Sequence, residues 1–216
     1  MQAEVAHEIK NPLAAILLQA QIAQRGGADA GTREFAARVE RAAKKIQKII
    51  DGVQALARDS EDDPVESVTV SRILDDAAEV SQWTLSDKKI PLLVSATETN
   101  AVVRCRPSQI CQVLVNLIHN ARDAIEHLNG PWIRLRAEES PRSISLSVTD
   151  AGGGISAEIR EHLMEPYFTT KPKGKGTGLG FSISKRIAER HGGALFLDTS
   201  VPNTCFRLEL PKAIPV

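Results

Sequence analysis

Val113-Leu114-Val115-Asn116-Leu117-Ile118-His119-Asn120-Ala121 sets two asparagines four residues apart in an otherwise apolar run. Residues at that spacing share one face of an α-helix, so both amides stack on one side of a partly buried element. Buried amides need hydrogen-bonding partners. A hydrated cation with phosphate oxygens would supply them, and so would polar groups of the core or of a cap. The helix extends outward from this stretch over about 107–127, with Pro107 suited to its first turn.

Strand and helix signals mix on either side. A strand near 66–70, a helix near 71–86 and strands near 90–96 and 101–105 come before it. Two alternating strands follow, near 132–138 and 143–149. A loop rich in Gly, Lys and Thr then leads to a helix near 179–190 and to strands near 194–200 and 205–210. No regular βαβ repeat runs through the order. That predicts an α+β sandwich with helices on one face of a mixed sheet.

The region before residue 60 reads differently. Val5, Ile9, Leu13, Ile16, Ala20 and Ala23 recur at spacings of four and three, as do Phe35, Val39, Ala42, Ile46, Ile49, Val53 and Leu56. This is the pattern of two helices packed along their length, broken by Gly26-Gly27 through Gly31. Two helices of about 25 residues cannot bury such a seam alone. A dimer of hairpins, making a four-helix bundle, is the simplest cover. The acidic link Asp59-Ser60-Glu61-Asp62-Asp63-Pro64 marks a boundary.

Composition limits the function classes. Apolar residues are 42% and charged residues 25%, which excludes disorder and fibrous repeats. Lys+Arg and Asp+Glu are 27 each, so no overall basic excess exists to hold a nucleic acid. The longest apolar run, Leu13 to Leu18, is far short of the roughly 20 residues of a membrane span. Met1 to Asn11 carries two glutamates and no apolar stretch, which predicts no signal peptide. Cys105, Cys111 and Cys205 are odd in number and lack CxxC spacing, so they read as free thiols in a reducing compartment.

Three further features carry chemistry. His7 precedes the seam residue Ile9 by two positions and so faces about 160° away from it, with Asn11 on the same outward face and Glu8 beside it. An imidazole beside a carboxylate is a competent nucleophile or proton acceptor; it reads equally as a histidine on a solvated face. Ala14, Ala15, Leu18 and Ile22 on that outward side are poor choices for water unless the bundle or a partner covers them. Gly174-Lys175-Gly176-Thr177-Gly178-Leu179-Gly180 runs into a helix, and Lys171 and Lys173 precede it. Bare backbone, a helix N-terminus and lysines suit phosphates, although a flexible surface loop has the same composition. Asp150-Ala151-Gly152-Gly153-Gly154-Ile155 follows a strand. A carboxylate held there can bond an amino group on a flat ring, or simply make a turn.

The order of these features resembles that of the sensor histidine kinases. His7-Glu8-Ile9-Lys10-Asn11-Pro12-Leu13 resembles the H box, and Asn116-x-x-x-Asn120-Ala121 the N box. Asp150-x-Gly152-x-Gly154-Ile155 is similar to the G1 box. Glu165-Pro166-Tyr167-Phe168-Thr169-Thr170-Lys171 is similar to the F box, and Gly176-Thr177-Gly178-Leu179-Gly180 to the G2 box. Five motifs in family order run from residue 7 to residue 180.

The resemblance implies a dimerisation and histidine-phosphotransfer domain over 1–60, a hinge at 61–65 and an ATP-binding domain of the Bergerat fold over 66–216. His7 would attack the γ-phosphoryl of ATP, with Glu8 as its base. Asn120 would ligate Mg²⁺ and Asn116 support it. Asp150 would bind the adenine amino group, and Gly152, Gly154 and Ile155 would line its approach. Phe168 to Lys175, including Thr170 and Lys171, would form a lid, and Gly176, Thr177, Gly178, Leu179 and Gly180 would meet the phosphates. The phosphoryl group would pass to an aspartate of a response regulator, and Asn11 would position the water that removes it again. The resemblance also implies a homodimer and a cytoplasmic, soluble portion of a longer protein that is often membrane-linked.

Two positions depart from the family. Arg106-Pro107 stands where Asp-Pro is usual, which removes a good N-cap. Asp123, counted with the nucleotide-binding residues, replaces a common Lys and so removes one phosphate contact. Other Bergerat-fold ATPases lack a histidine on a preceding dimer bundle, and their N box usually opens with Glu. A scaffold without turnover would be expected to lose His7, Asn120, Asp150 or Gly178, and all four are present.

Overall fold

The computed structural model describes residues 13–23, 29–40, 43, 46, 64–96, 101–171 and 178–212. The chain forms two compact units, one of residues 1–61 with 165–180 and the other of 62–164 with 181–216.

In the first unit, α1 covers 13–23, and α2 covers 30–40 with further helical positions at 43 and 46. Asp29 starts α2. Its carboxylate accepts the Thr32 N–H at 2.9 Å and the Thr32 hydroxyl at 2.7 Å, satisfying an N–H that the first turn leaves open. Those bonds lower the Asp29 pKa, the Thr32 N–H first.

The hairpin contact joins leucines to alanines. Leu13, Ala20, Ala36 and Ala43 are buried, and Leu17 packs on Leu13 and Ala43. The stripe predicted from the spacing divides differently: Phe35 is 68% exposed, Ile46 45% and Ile16 44%. The alanines let the two backbones approach, and the large side chains at neighbouring positions then point away from the hairpin. Leu18 and Ile22, placed outward by the sequence, are both 59% exposed.

The second unit is built on a mixed five-stranded sheet ordered β2-β4-β5-β7-β6, with a two-stranded ladder β1-β3 beside it. Its strands are β1 (Glu66–Thr69), β2 (Leu92–Ala96), β3 (Val102–Cys105), β4 (Ile133–Glu139), β5 (Ser143–Asp150), β6 (Ala194–Leu197) and β7 (Cys205–Pro211). β2 pairs parallel with β4, and every other pairing is antiparallel. The helices are α3 (Val70–Ser86), α4 (Pro107–Ile125), α5 (Ala157–His162) and α6 (Gly180–Arg190). The α+β sandwich is the one expected from the sequence.

Alternation builds the core. Ile133, Leu135 and Ala137 on β4 and Ile144, Leu146 and Val148 on β5 are buried, as are Phe206, Leu208 and Leu210 on β7. Their facing pairs are Leu135↔Val148, Val148↔Phe206 and Leu146↔Leu208. Helix α3 packs on β2 and β4, and α4 on β4 and β5. α4 supplies Ile110, Val113, Leu114, Leu117, Ile118 and Ile125, all fully buried; each large side chain contributes about 1.5–3 kcal/mol. The Phe181 and Phe206 rings, 4.7 Å apart, join α6 to β7.

The other face of the sheet is polar. Arg207 donates to Asp198 at 2.6 Å and to Glu138 at 2.8 Å, and Arg136 pairs with Glu138 at 3.1 Å. Bonds from Ser200 and Arg207 hold Asp198 down to about 2. The three cysteines are free thiols, with Cys105 and Cys205 buried.

Helix α5 was not anticipated. Its six residues bury no side chain, so no apolar period marks them. No helix among the described residues is long and apolar enough to cross a membrane.

Candidate functional site

The alternation of β5 sets the site. Ile144, Leu146 and Val148 point into the core, and Asp150 is the next residue in that phase. It is therefore carried to the strand end with its carboxylate turned inward, and only 4% of the residue is exposed. Burial pushes its pKa up. Two hydrogen bonds oppose that shift, one from the Gly152 N–H at 2.7 Å and one from the Thr204 hydroxyl.

Backbone bonds fix the turn around it. The Asp150 N–H donates to the Thr204 carbonyl at 3.0 Å, and the Thr204 N–H to the Gly152 carbonyl at 3.1 Å. The Asn203 amide donates to the same carbonyl at 3.3 Å. A Cβ at 152 would lie 2.7 Å from Asp150 Oδ1 and 3.1 Å from Thr204 Oγ1, so a larger residue there would displace the carboxylate and hydroxyl. Gly154 holds φ +87°, a conformation that disfavours other residues. The turn walls a cavity of about 110 Å³ lined by Gly153, Gly154, Ile155, Arg160, Asp198 and Thr204, among others. A buried carboxylate held in this way can accept a hydrogen bond from an amino group on a flat heterocycle, beside backbone that lets the ring approach.

Helix α4 carries the asparagines. Asn116 donates to the Ser184 hydroxyl of α6 at 3.0 Å, so one amide of the pair has a protein partner 68 residues away. Asn120 lies one turn further along and is half-buried. Its amide oxygen is a hard ligand of the kind Mg²⁺ takes alongside phosphates and water. Among the described residues no group of three His, Cys, Asp or Glu could hold a metal. Asp123 accepts from Arg122 at 2.9 and 2.5 Å, which engages its carboxylate within α4.

In the other unit, Tyr167 and Gly178 meet. The Tyr167 N–H donates to the Gly178 carbonyl at 2.9 Å. Both residues have positive φ, +69° and +67°. A Cβ on Gly178 would come within 2.6 Å of the Tyr167 Cα, so only glycine fits. Phe168 is half-buried, Thr170 exposed, Lys171 half-buried and Leu179 buried; Gly180 opens α6. His7, Glu8, Asn11, Lys175, Gly176 and Thr177 lie outside the described residues.

The structure thus brings Asp150 and Gly152 together, and Asn116 onto α6. It also adds Ser184, Asn203 and Thr204, which sequence reasoning missed. All three are polar residues whose partners are remote in the chain, so no local spacing could have found them.

Two family models match the chain. The His Kinase A (phospho-acceptor) domain matches residues 1–62, and the histidine kinase-, DNA gyrase B-, and HSP90-like ATPase matches residues 105–214. The chain is 31% identical over 196 residues to the sensor histidine kinase ZraS of Escherichia coli strain K12, covering 90% of this chain and 41% of that protein. It spans less than half the length of the curated relatives that match most of it. Among solved structures, full-length ShkA in complex with AMPPNP superposes with TM-score 0.78 at 21% identity, over 100% of this chain and 46% of that one. Histidine kinase ThkA in complex with the response regulator protein TrrA does so with TM-score 0.69 at 22% identity, over 99% and 61%. At such identities the likeness is one of fold.

Proposed function

This chain belongs to the sensor histidine kinases, and on that premise we propose that it is an ATP-dependent autokinase that phosphorylates His7 and passes the group to a response regulator. The observation that carries the reading is the buried Asp150, tied to the Gly152 N–H and Thr204 at the end of β5, within the stretch matched by the ATPase model. The match of residues 1–62 to a phospho-acceptor domain favours a kinase over the gyrase and chaperone members of that ATPase group.

Asp150 accepts the adenine amino group, and Gly152, Gly154 and Ile155 let the ring lie against the turn. Asn116 and Asn120 would face the phosphates from α4, and Asn120 would hold Mg²⁺ through its amide oxygen. That ion neutralises phosphate charge when bound. Phe168, Thr170, Lys171 and Lys175 would belong to the lid, and Gly176, Thr177, Gly178, Leu179 and Gly180 would meet the phosphates. Asp123 contributes no positive charge to the phosphates.

In the transfer, a ring nitrogen of His7 bonds to the γ-phosphorus while the bond from that phosphorus to the bridging oxygen breaks and ADP leaves. Glu8 takes the imidazole proton. The phosphoryl group then moves to an aspartate carboxylate of the regulator, and Asn11 orients the water that hydrolyses it. The acceptor histidine precedes residue 60 and the nucleotide site follows residue 105, so 61–65 acts as the hinge. The apolar side chains left exposed on α1 and α2 support a dimer of hairpins.

The test is incubation with Mg²⁺ and γ-labelled ATP, comparing wild type with His7→Gln. Acid-labile, base-stable label on the wild type that vanishes in the variant is the expected result. A wild type that binds ATP and takes no label would overturn the autokinase reading.

A further inference from the structure

His191 closes α6 and reaches the start of α4. Its Nδ1 is 2.8 Å from the Ile187 carbonyl, which can only accept, so Nδ1 carries the proton. Its Nε2 is 3.1 Å from the Arg106 backbone N–H, which can only donate, so Nε2 presents its lone pair. The ring is therefore a neutral imidazole in one tautomer, used at both nitrogens. Arg106 is the residue before the first turn of α4, and its side chain makes no cap bond. His191 thus accepts from the backbone N–H of the N-cap residue, the group that an N3 side chain takes in a capping box.

His191 is itself held firmly. Its N–H donates to the Ile187 and Ala188 carbonyls, Gly192 turns the chain at φ +68°, and the Gly193 N–H returns to the Ala188 carbonyl at 2.9 Å. A Cβ on Gly193 would collide with the Glu209 carbonyl of β7, so the chain leaves α6 along a path open only to glycine. Further back on α6, Ser184 accepts from Asn116. The two attachments lie seven residues apart on α6, about 10 Å along its axis. The buried side chains of α4 seat it on the sheet, and the two attachments fix where it stands along α6.

We propose that His191 is a positioning residue for nucleotide binding: its neutral ring sets α4, and with it Asn116 and Asn120, against α6. The link to affinity rests on the functional reading above; the bridge itself does not. Three variants separate the bridge from a local role in ending α6. His191→Asn puts an amide N–H where Nδ1 stands and keeps only the bond to Ile187. His191→Gln puts an amide oxygen where Nε2 stands and keeps only the bond to Arg106. His191→Ala keeps neither.

The readouts are exchange of the Arg106 amide without nucleotide, binding of ADP with Mg²⁺ by calorimetry, and a thermal melt for folding. The bridge predicts slow Arg106 exchange in wild type and His191→Gln, and fast exchange in His191→Asn and His191→Ala. It predicts affinity within twofold of wild type for Gln, and about fivefold weaker for Asn and Ala, the worth of one hydrogen bond. Asn protecting Arg106 as well as Gln does, or binding nucleotide better than Gln does, would overturn it. If the exchange pattern holds while even wild type binds no nucleotide, the functional reading fails and the bridge stands.

Discussion

The sheet unit and the helical hairpin arrange their large apolar residues in opposite ways. On β4, β5, β7 and α4, the leucines and isoleucines are almost wholly buried; the most exposed apolar side chains of this unit, Trp83 and Val80, lie on α3. On α1 and α2, Leu13 and Leu17 pack with Ala43 while Ile16, Leu18, Ile22, Phe35 and Ile46 stay in water. The difference teaches that one unit buries its large apolar residues within the chain, while the other leaves large apolar side chains exposed among its described residues, a face suited to a second surface.

The largest effect should come from attacking the closed core. Leu114→Ala is expected to lower the stability of the sheet unit by about 2–5 kcal/mol in chemical denaturation, since the cavity cannot fill. The double change Phe35→Ala with Ile46→Ala should leave that transition in place and weaken dimerisation at least tenfold in sedimentation. A double variant that stays dimeric, or that unfolds the sheet unit, would break the contrast.

A smaller effect sharpens it, because one inward position of β5 is charged. Asp150→Asn should weaken ATP binding by about 10- to 100-fold in calorimetry, the worth of a hydrogen bond to a charged group. The raised pKa fixes the sign of the pH dependence. The folded state holds the Asp150 proton more tightly than the unfolded chain, whose ordinary value is 3.8. Wild type therefore gains stability relative to Asp150→Asn as pH falls through the folded-state pKa, and the gain is complete below 3.8. A difference independent of pH would mean the carboxylate is not desolvated.

The smallest effect belongs to the polar face. Asp198→Asn should cost about 1 kcal/mol at neutral pH, in the range of a partly exposed ion pair. Here the sign is reversed. Asp198 is held down to about 2, so its contribution is present above 3.8 and is lost as pH falls through about 2. Denaturation curves that keep their separation at the acid end would contradict the ion-pair account.

The α+β sandwich was legible because its strands alternate and α4 repeats apolar residues on one face. What was lost follows from the same logic. α5 buries nothing and so leaves no pattern. On the hairpin, Leu13 and Ala20 of the predicted seam are buried within the chain, while Phe35 and Ile46 stay exposed, as a seam left for a second hairpin would be. At the site, Asp150 and the asparagines stood out as polar residues interrupting apolar runs. Ser184 and His191 did not, since their partners lie 68 and 85 residues away.

The pairing of β5 with β7 has a consequence for how the molecule is made. Thr149 faces Cys205, and between these neighbours in the sheet the chain makes α5, the lid segment, α6 and β6. The Asp150 N–H finds its acceptor only on Thr204, and its carboxylate finds the Thr204 hydroxyl. While the chain emerges from a ribosome, the carboxylate therefore waits for more than fifty further residues before its surroundings exist. Such a distant closure is slow to form, and until it does the buried edge of β5 is open to wrong partners. The turn at Asp150 should be among the last features of the molecule to mature.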